Sequence, residues 1–437
     1  MAKKFLVVNL YPHTLVYVWP LILLLKNKGF EVHISIRTFE KQVGDSIFSI
    51  NDGKLFKKTS KDEQVLILDL DIKGLSIFKT PTHEFGPIYL LKYFLRPLRN
   101  VLSKNLHEVQ DQFFTKQYKN LSIFQRIIFH LMKLPSLNLK FLKFLRLLEK
   151  SLPPSKRVLS YVTDLDPNFI FVSPANWENR NYFLSPEIEF IKCAKFLNIK
   201  SIVYQLSFDN FFAREIIHIQ PDYIFSWLEK SLLHIFNVSD FDSKCKGIVT
   251  GPLYLEERFK KINSVNGSRY SKPKKENYFV YLGSASGIIS YDEEIEFVEK
   301  IRVILKNHNT KVFYRPHPNN IPVEHKLDKS TFLYGEEMSN FYNFLMKSNG
   351  VIGVSTTLLY ESYLLGVPVF FNNLCSYDID NDYAMSLFKD NCYIISDFKD
   401  IEKFLLDFKN KPSTFPSIFD KKNLPSVKIF SFLKNLY

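Results

Sequence analysis

Residues 311–318, KVFYRPHP, and residues 350–371, GVIGVSTTLLYESYLLGVPVFF, decide how this chain folds. The first segment begins with apolar residues that predict a short buried strand. Its two prolines fix φ and exclude helix in the loop that follows. Arg315 and His317 are therefore expected to lie at the carboxyl end of that strand.

The second segment predicts a strand, a turn rich in hydroxyl groups and a helix. The strand covers residues 350–354 and the helix runs from about 356 to 365, with Ser355 as a favourable N-cap. Gly366 followed by Pro368 ends the helix, and a new apolar strand begins there. This β–turn–α–β order is half of a doubly wound sheet, in which ligands bind beyond the carboxyl ends of the strands.

The chemistry expected at these strand ends is anion binding. Arg315 offers a planar fork to phosphate oxygens, and His317 offers a donor that needs no metal. Glu361 lies further along the helix, where its carboxylate could accept from ribose hydroxyls. The helix begins with free N–H groups beside three hydroxyl side chains, those of Ser355, Thr356 and Thr357. Either piece alone is better explained by a helix cap or a loop residue, whereas both on adjacent strand ends favour a site for a nucleotide joined to a sugar.

The Arg-Pro-His-Pro loop and the Ser/Thr-rich turn together resemble the nucleotide-binding half of GT-B glycosyltransferases. The similarity is greatest to bacterial capsule and surface-polysaccharide enzymes, and related loops occur in polysialyltransferases, capsular Kdo transferases and teichoic acid glycerophosphotransferases. Upstream, Ser207-Phe-Asp-Asn210, Pro221-Asp222 and Thr250-Gly-Pro252 extend the resemblance, which covers about residues 167–371. It implies an α/β protein of GT-B fold, with two Rossmann-like domains facing across a cleft and metal-independent sugar transfer.

The chain length suits two domains. Its 437 residues are too many for one ordinary core. We expect an N-terminal acceptor domain over residues 1–255, a linker over 256–277 and a C-terminal donor domain over 278–437, whose last helix crosses back as in GT-B chains. The chain opens with a strand, a helix from about Leu15 to Lys28 and a second strand, without the Gly-x-Gly-x-x-Gly of dinucleotide binding. No cofactor is expected; the donor is a CMP-, UDP- or GDP-linked sugar, which the sequence does not distinguish.

The first loop of the C-terminal domain follows a predicted strand at residues 278–282. The resemblance implies that this loop lies near the donor phosphates, and a plain Gly/Ser turn is an equally good interpretation. Its candidate contacts are Gly283, Ser284 and Ser286.

An inverting transferase also needs a base at the acceptor hydroxyl. His13, after the first strand, and Asp209, after a later one, are the candidates, with Glu84 a weaker one. The resemblance gives Arg315, His317 and the helix after Ser355 the task of neutralising the leaving phosphate. A retaining enzyme could lack such a base, and the sequence leaves the stereochemistry open.

Positive charge is concentrated in one helical segment, residues 89–157. Residues 91–160 hold 14 Lys/Arg and 3 Asp/Glu, which gives a net charge of +11. The rest of the chain holds 44 Lys/Arg and 42 Asp/Glu, which gives a net charge of +2. One interpretation is a helical insertion with a solvated basic face. The other is a dock for an anionic membrane surface. Nucleic acid is not expected as a partner, because no nucleic-acid-binding motif accompanies the charge.

The sequence also bears on the compartment of the protein and on alternative functions. Four scattered cysteines and the lack of a run of ~18 apolar residues predict a cytoplasmic protein, peripheral at most on the inner face of the membrane. Its partners would be a nucleotide sugar and a glycan or lipid-linked acceptor. Three rival functions remain: a non-hydrolysing sugar-nucleotide epimerase, a CDP-polyol phosphotransferase and a non-catalytic membrane-associated scaffold.

Overall fold

The structure is a computed structural model that describes residues 3–9, 12–36, 47–51, 54–58, 64–69, 75–81, 86–107, 118–132, 135–173, 186–207, 211, 216–256, 275–284, 289–317, 338–374, 392–410 and 424–436. The chain divides into two compact units. The first unit comprises residues 1–254 together with 425–437, and the second comprises residues 255–424.

The first unit is built on a seven-stranded sheet in which all neighbouring strands are parallel. Its strands are β1 (Lys4–Asn9), β2 (Glu31–Ile36), β6 (Ser76–Lys79), β7 (Phe169–Ser173), β8 (Lys200–Tyr204), β9 (Tyr223–Ser226) and β10 (Lys246–Val249), in the spatial order β10-β9-β8-β7-β1-β2-β6. A separate antiparallel sheet holds β3 (Ile47–Asn51), β4 (Lys54–Lys58) and β5 (Gln64–Asp69).

Helices accompany the parallel sheet, as expected when strands are buried on both faces. A 3-10 helix spans Pro12–Tyr17, and the helix predicted from Leu15 begins only at Trp19, with Pro20 in its first turn, where proline is tolerated. The helices of the first unit are α1 (Trp19–Asn27), α2 (Pro87–Leu106), α3 (Ile123–Leu131), α4 (Pro135–Ser151), α5 (Lys156–Leu165), α6 (Pro186–Phe196), α7 (Glu229–Ser239) and, from the end of the chain, α12 (Pro425–Lys434).

Helix α12 packs on the first unit through aromatic contacts. The ring centroid of Phe432 lies 4.9 Å from that of Tyr223 and 5.6 Å from that of Phe225 on β9. Phe430 contacts Phe30 at 6.3 Å. The last described helix therefore belongs to the same core as the first strands.

Two motifs of the upstream resemblance hold strand ends together in the first unit. The carboxylate of Asp222 accepts from the backbone N–H and the hydroxyl of Ser201, both at 2.8 Å. The Tyr204 hydroxyl accepts from the N–H of Leu253 at 2.7 Å and donates to the carbonyl of Gly251 at 3.2 Å. These polar groups are satisfied within the fold, so they stabilise the ends of β8, β9 and β10.

The second unit is a smaller parallel sheet with helices. Its strands are β11 (Tyr278–Leu282), β12 (Lys311–Arg315), β13 (Gly350–Gly353), β14 (Val369–Asn372) and β15 (Tyr393–Ile395), in the order β12-β11-β13-β14-β15. Its helices are α8 (Tyr291–Lys306), α9 (Met338–Lys347), α10 (Thr357–Leu364) and α11 (Phe398–Asn410). Aromatic and branched side chains such as Tyr281, Val298 and Ile352 fill the core.

The basic segment forms a helical insertion, α2 to α4, with its own apolar core, in which Leu98, Phe129 and Leu145 are buried. The expectation of a solvated basic face is wrong for α2. Its four basic side chains are buried, namely those of Lys92, Arg96, Arg99 and Lys104. Charged groups are buried only when they are paired, and here the partners come from distant segments.

An ion-pair network accounts for the burial of Lys92 and Arg96, whereas Arg99 donates to the backbone carbonyls of His218 and Ser239. Nη2 of Arg96 donates to Glu149 at 2.9 Å and to Glu189 at 2.6 Å. Lys92 donates to the other oxygen of Glu189 at 2.8 Å, and Lys192 contacts Glu149 at 3.3 Å. Burial lowers the pKa of Lys192 to about 8, against the attraction of Glu149. The network joins α2, α4 and α6, so it fixes the insertion to the sheet domain.

The structure also bears on membrane-spanning helices and on the state of the cysteines. Among the described residues, no helix is long and apolar enough to cross a membrane. Cys193 and Cys245 are buried free thiols and Cys392 is a half-buried one, whereas Cys375 lies outside the described residues.

Candidate functional site

The central strands of the second sheet end at the same level. In the register of the sheet, Leu282 of β11 stands beside Arg315 of β12 on one side and Gly353 of β13 on the other. The chain passes from β11 outward to β12 and then returns across β11 to form β13. This reversal is a topological switch point, which in open α/β sheets is where ligands bind.

Gly283 lets the loops after β11 and β12 approach closely. Its N–H donates to the carbonyl of Arg315 at 2.8 Å. A Cβ at this position would lie 2.8 Å from the backbone nitrogen of His317 and 3.0 Å from Cα of Pro316. Only glycine fits here, because both contacts are with backbone that cannot move aside cheaply.

Replacing Gly283 by alanine should therefore separate the two loops. We expect a loss of about 1–3 kcal/mol in the free energy of unfolding, the usual cost of overpacking, together with weaker nucleotide binding. Thermal unfolding with and without nucleotide measures both. Gly86→Ala is the control, because a Cβ at Gly86 meets no atom within 4 Å. Unchanged stability and binding in Gly283→Ala would contradict the close approach.

Ser284 joins the loops after β11 and β13. Its side chain is buried, and its Oγ accepts from the N–H of Ser355 at 3.3 Å. The prediction of Ser355 as N-cap is wrong: Thr356 occupies that position and α10 begins at Thr357. The reason is that the Ser355 backbone faces the loop at Ser284. The predicted cluster of hydroxyl groups nevertheless lies at the switch point.

The side chain of Arg315 lies flat against an aromatic ring. Its Cζ is 3.6 Å from the ring centroid of Phe341 on α9, and Phe341 is buried. Stacking of this kind fixes the plane of a guanidinium group, and an ammonium group cannot reproduce it. Arg315 is itself half-buried at the end of β12. The structure thus holds the Arg315 guanidinium in one orientation.

His317 is half-buried two residues further along. Burial and then the charge of Arg315 lower its pKa below the usual value. The imidazole is therefore neutral near pH 7, with one ring nitrogen as donor and the other as acceptor. A neutral ring can donate a hydrogen bond to a phosphate oxygen, and the positive charge of the site comes from Arg315.

Glu294 was not anticipated from the sequence. This fully buried residue of α8 accepts from the N–H of Ser284 at 2.7 Å and from the Tyr314 hydroxyl at 2.8 Å. Burial raises its pKa to about 7, although both hydrogen bonds oppose that rise. The sequence signal was a carboxylate on the apolar face of a helix, in line with Val298 and Ile301. Glu294 acts by positioning the Ser284 loop.

The buried carboxyl of Glu294 should make stability depend on pH. Its pKa rises from an ordinary 4.5 to about 7, so the folded chain holds more protons between these values. The free energy of unfolding should therefore fall as pH rises through this window, by about 3 kcal/mol at most. Glu294→Gln should remove that part of the dependence. Tyrosine near-UV dichroism during urea unfolding reports on both units, whereas tryptophan fluorescence reports on the first alone, because Trp19, Trp177 and Trp227 all belong to it. The difference between the two signals follows the second unit. Parallel pH profiles for the wild type and the variant would contradict the assignment.

Glu361 lies on the buried side of α10. Its carboxyl group accepts from the Tyr342 hydroxyl of α9 and is almost entirely shielded from solvent. Burial raises its pKa well above the ordinary value. This contact links α10 to the helix that carries Phe341. A role for Glu361 at a ribose stays a prediction.

Four of the predicted site residues are described only in part or not at all. The backbone of His13 lies in the 3-10 helix after β1, but its side chain is outside the described part of the structure. Asp209, Glu84 and Ser286 also lie outside the described residues. Within the described ranges, no three His, Cys, Asp or Glu side chains are grouped as metal ligands. The residues brought together are thus Gly283, Ser284, Arg315, His317 and Ser355.

Two units, each built on a parallel sheet with helices, define the GT-B fold, and the α/β class expected from the sequence is confirmed. The chain matches the UDP-GlcNAc 2-epimerase of Neisseria meningitidis bound to UDP-GlcNAc at 12% identity and a TM-score of 0.55, over 99% of this chain and 100% of the other. It matches the UDP-GlcNAc 2-epimerase of Methanocaldococcus jannaschii at 12% identity and a TM-score of 0.54, over 99% of this chain and 100% of the other.

Spinosyn rhamnosyltransferase SpnG complexed with thymidine diphosphate aligns over 99% of this chain and 100% of the other, at 12% identity and a TM-score of 0.44, a score too low to bear on the fold. No protein-family model and no curated protein sequence matches the chain. At these identities the likeness establishes the fold alone.

Proposed function

We propose that this protein is a nucleotide-sugar-dependent glycosyltransferase of cell-surface polysaccharide or glycolipid synthesis. The observation that carries the proposal is the convergence of Arg315, His317 and the Ser284–Ser355 contact at the switch point of the second sheet. The donor's phosphates would bind there. The acceptor would be a glycan or a lipid-linked glycan at the inner face of the cytoplasmic membrane.

The chemistry of these residues suits departure of a phosphate-bearing leaving group. As the bond between the sugar and the phosphate breaks, negative charge develops on the phosphate oxygens. Arg315, held flat on Phe341, would pair with that charge. Neutral His317 and the N–H groups at the start of α10 would donate hydrogen bonds to it. No step in this scheme requires a metal ion.

Deprotonation of the acceptor belongs to the first unit in this proposal. His13, which follows β1, and Asp209 are the candidate bases for an inverting reaction, and Glu84 is a further one. β1 is itself a switch point, because it lies between β2 and β7. Loss of transfer with retained nucleotide binding, in His13→Ala or Asp209→Ala, would identify the base.

A second candidate is a sugar-nucleotide epimerase. The fold shared with the two UDP-GlcNAc 2-epimerases favours it. The two functions differ in whether an acceptor is needed. An epimerase converts its nucleotide sugar alone, whereas a transferase releases the nucleotide only when an acceptor is present.

The test has two stages. Thermal unfolding of the second unit in the presence of UDP, GDP, CMP and CDP, followed by titration calorimetry, identifies the nucleotide that the protein binds. The matching nucleotide sugars are then incubated with and without a lipid-linked glycan extract, and products are analysed by mass spectrometry. Acceptor-dependent nucleotide release supports transfer, and acceptor-independent isomerisation supports the epimerase. Transfer of a polyol phosphate from a CDP-polyol would identify the phosphotransferase, and no nucleotide binding would overturn all three enzymes.

A further inference from the structure

The helical insertion exposes an unusual amount of apolar surface. Of the 17 large apolar side chains exposed among the described residues, 12 lie between positions 88 and 147. Single exposed apolar residues are ordinary, whereas a contiguous set marks an interaction site. The feature is therefore local to the insertion.

Helix α3 carries the centre of this surface. Ile123, Ile127 and Leu131 follow one another at i, i+4 and i+8, so they lie on one side of the helix. Ile123 is 78% exposed, and Phe124 beside it is 63% exposed. Phe129, on the opposite side, is buried in the core of the insertion. Helix α3 thus packs by one face and presents a second apolar face outward.

This outward face is held on a well-formed helix. A capping box fixes the start of α3: Ser122 Oγ accepts from the N–H of Gln125, and the side chain of Gln125 accepts from the N–H of Ser122. The Gln125 amide also donates to the carbonyl of Phe94 on α2, at 2.6 Å. The exposed side chains are therefore not a consequence of a fraying end.

Helix α2 extends the same surface. The ring of Phe124 contacts that of Phe94 with centroids 5.9 Å apart. Leu90 and Leu91, one turn before Phe94, are exposed at 60% and 36%. We call the joint surface the apolar face; it consists of Leu90, Leu91, Ile123, Phe124, Ile127 and Leu131.

In the described part of the insertion the exposed charge has one sign. In residues 86–107, 118–132 and 135–157, the only acidic side chain is that of Glu149, which is buried against Arg96. Exposed Lys119 precedes α3, half-buried Arg126 lies within it, and α4 adds exposed Lys140 and Lys143. The Arg126 guanidinium lies over the Tyr118 ring at 5.7 Å. An exposed apolar surface on a segment whose described exposed charges are all cations is complementary to anionic lipid.

We propose that the apolar face docks α3 in the interfacial plane of an anionic bilayer, with Ile123, Phe124 and Ile127 reaching the acyl boundary. The lysines around the face would meet the headgroups. The four basic side chains of α2 take no part, since all of them are buried. A bilayer is favoured over a protein partner because the exposed side chains of these ranges combine aliphatic and phenyl groups with cations and include no carboxylate. The proposal holds whether the chain transfers or epimerises a sugar.

Flotation with vesicles tests the docking surface. The full chain is mixed with phosphatidylcholine vesicles or with phosphatidylcholine–phosphatidylglycerol vesicles at ~0.05 and ~0.5 M NaCl. We expect binding only to the anionic vesicles and weaker binding at high salt. Phe124→Ser with Ile127→Ser should lower the partition coefficient at least about tenfold. Lys119→Gln with Lys143→Gln should lower it by a similar factor and flatten the salt dependence.

The matched control is Phe196→Ser with Val303→Ser. These side chains are 67% and 68% exposed but lie outside the insertion, so binding should stay within about twofold of the wild type. Tryptophan fluorescence checks folding, and nucleotide binding by all variants checks the second unit separately. Equal binding to neutral vesicles, or full binding by the Phe124/Ile127 variant, overturns the proposal. So does a wild-type dimer that this variant converts to a monomer, because the face would then join two copies.

Discussion

Replacing Arg315 by alanine is expected to weaken nucleotide binding by about 100-fold and to leave the fold intact. The guanidinium is the fixed positive charge at the switch point, and Phe341 holds it in one plane at 3.6 Å. Arg315→Lys keeps the charge but loses the planar fork, so we expect an intermediate loss. Titration calorimetry with the nucleotide identified in the screen gives the dissociation constants.

The matched control for Arg315→Ala is Lys300→Ala. It removes one positive charge from the same unit at an exposed position, where Lys300 pairs only weakly with Glu296 at 2.7 Å. Its nucleotide affinity should stay within about threefold of the wild type. Binding by a folded Arg315→Ala protein at the control's level would refute the proposed donor site, since no other guanidinium follows the central strands among the described residues.

Replacing Arg96 by methionine should destabilise the first unit by about 3–5 kcal/mol. Arg96 is fully buried and lies between Glu149 and Glu189, each within 2.9 Å of Nη2. Methionine fills much of the same volume but leaves the two carboxylates near each other with less compensating charge. Urea unfolding followed by tryptophan fluorescence reports on this unit, because all three tryptophans belong to it.

Arg146→Met provides the comparison for a surface ion pair. Arg146 contacts Asp240 at 3.0 Å, with side chains 26% and 50% exposed, so its loss should cost under about 1 kcal/mol. Adding Glu149→Gln and Glu189→Gln to Arg96→Met should lower the stability further, because Lys92 and Lys192 then lose the carboxylates that they contact. Equal stability of Arg96→Met and Arg146→Met would show that the buried network contributes little.

The strands around the candidate site could be predicted because their signals are local. An apolar run followed by prolines predicted β12 and the positions of Arg315 and His317, and Gly366 with Pro368 predicted the end of α10. Such runs and stops depend on neighbouring residues only. The close approach of Gly283 to His317 was harder to predict from the sequence, because it depends on the pairing of β11 with β12.

The buried basic helix could not be predicted because its partners are distant in sequence. Glu149 is 53 residues from Arg96, and Glu189 is 93 residues from it. From spacing alone, lysines and arginines between leucines indicate a solvated face. Glu294 and Phe341 escaped notice for the same reason, since each acts on a side chain or loop brought to it by the sheet. The periodicity of a single sequence carries no information about contacts between residues that are distant in that sequence.

The packing of α12 on β9 has a consequence for biosynthesis. The aromatic rings of Tyr223 and Phe225 gain their covering from Phe432, which the ribosome adds only after the whole second unit. A nascent chain that has made residues 1–254 therefore carries an open aromatic patch throughout synthesis of the next 170 or so positions, the kind of surface that chaperones shield. Completion of the N-terminal core in this sense follows synthesis of the second unit rather than preceding it.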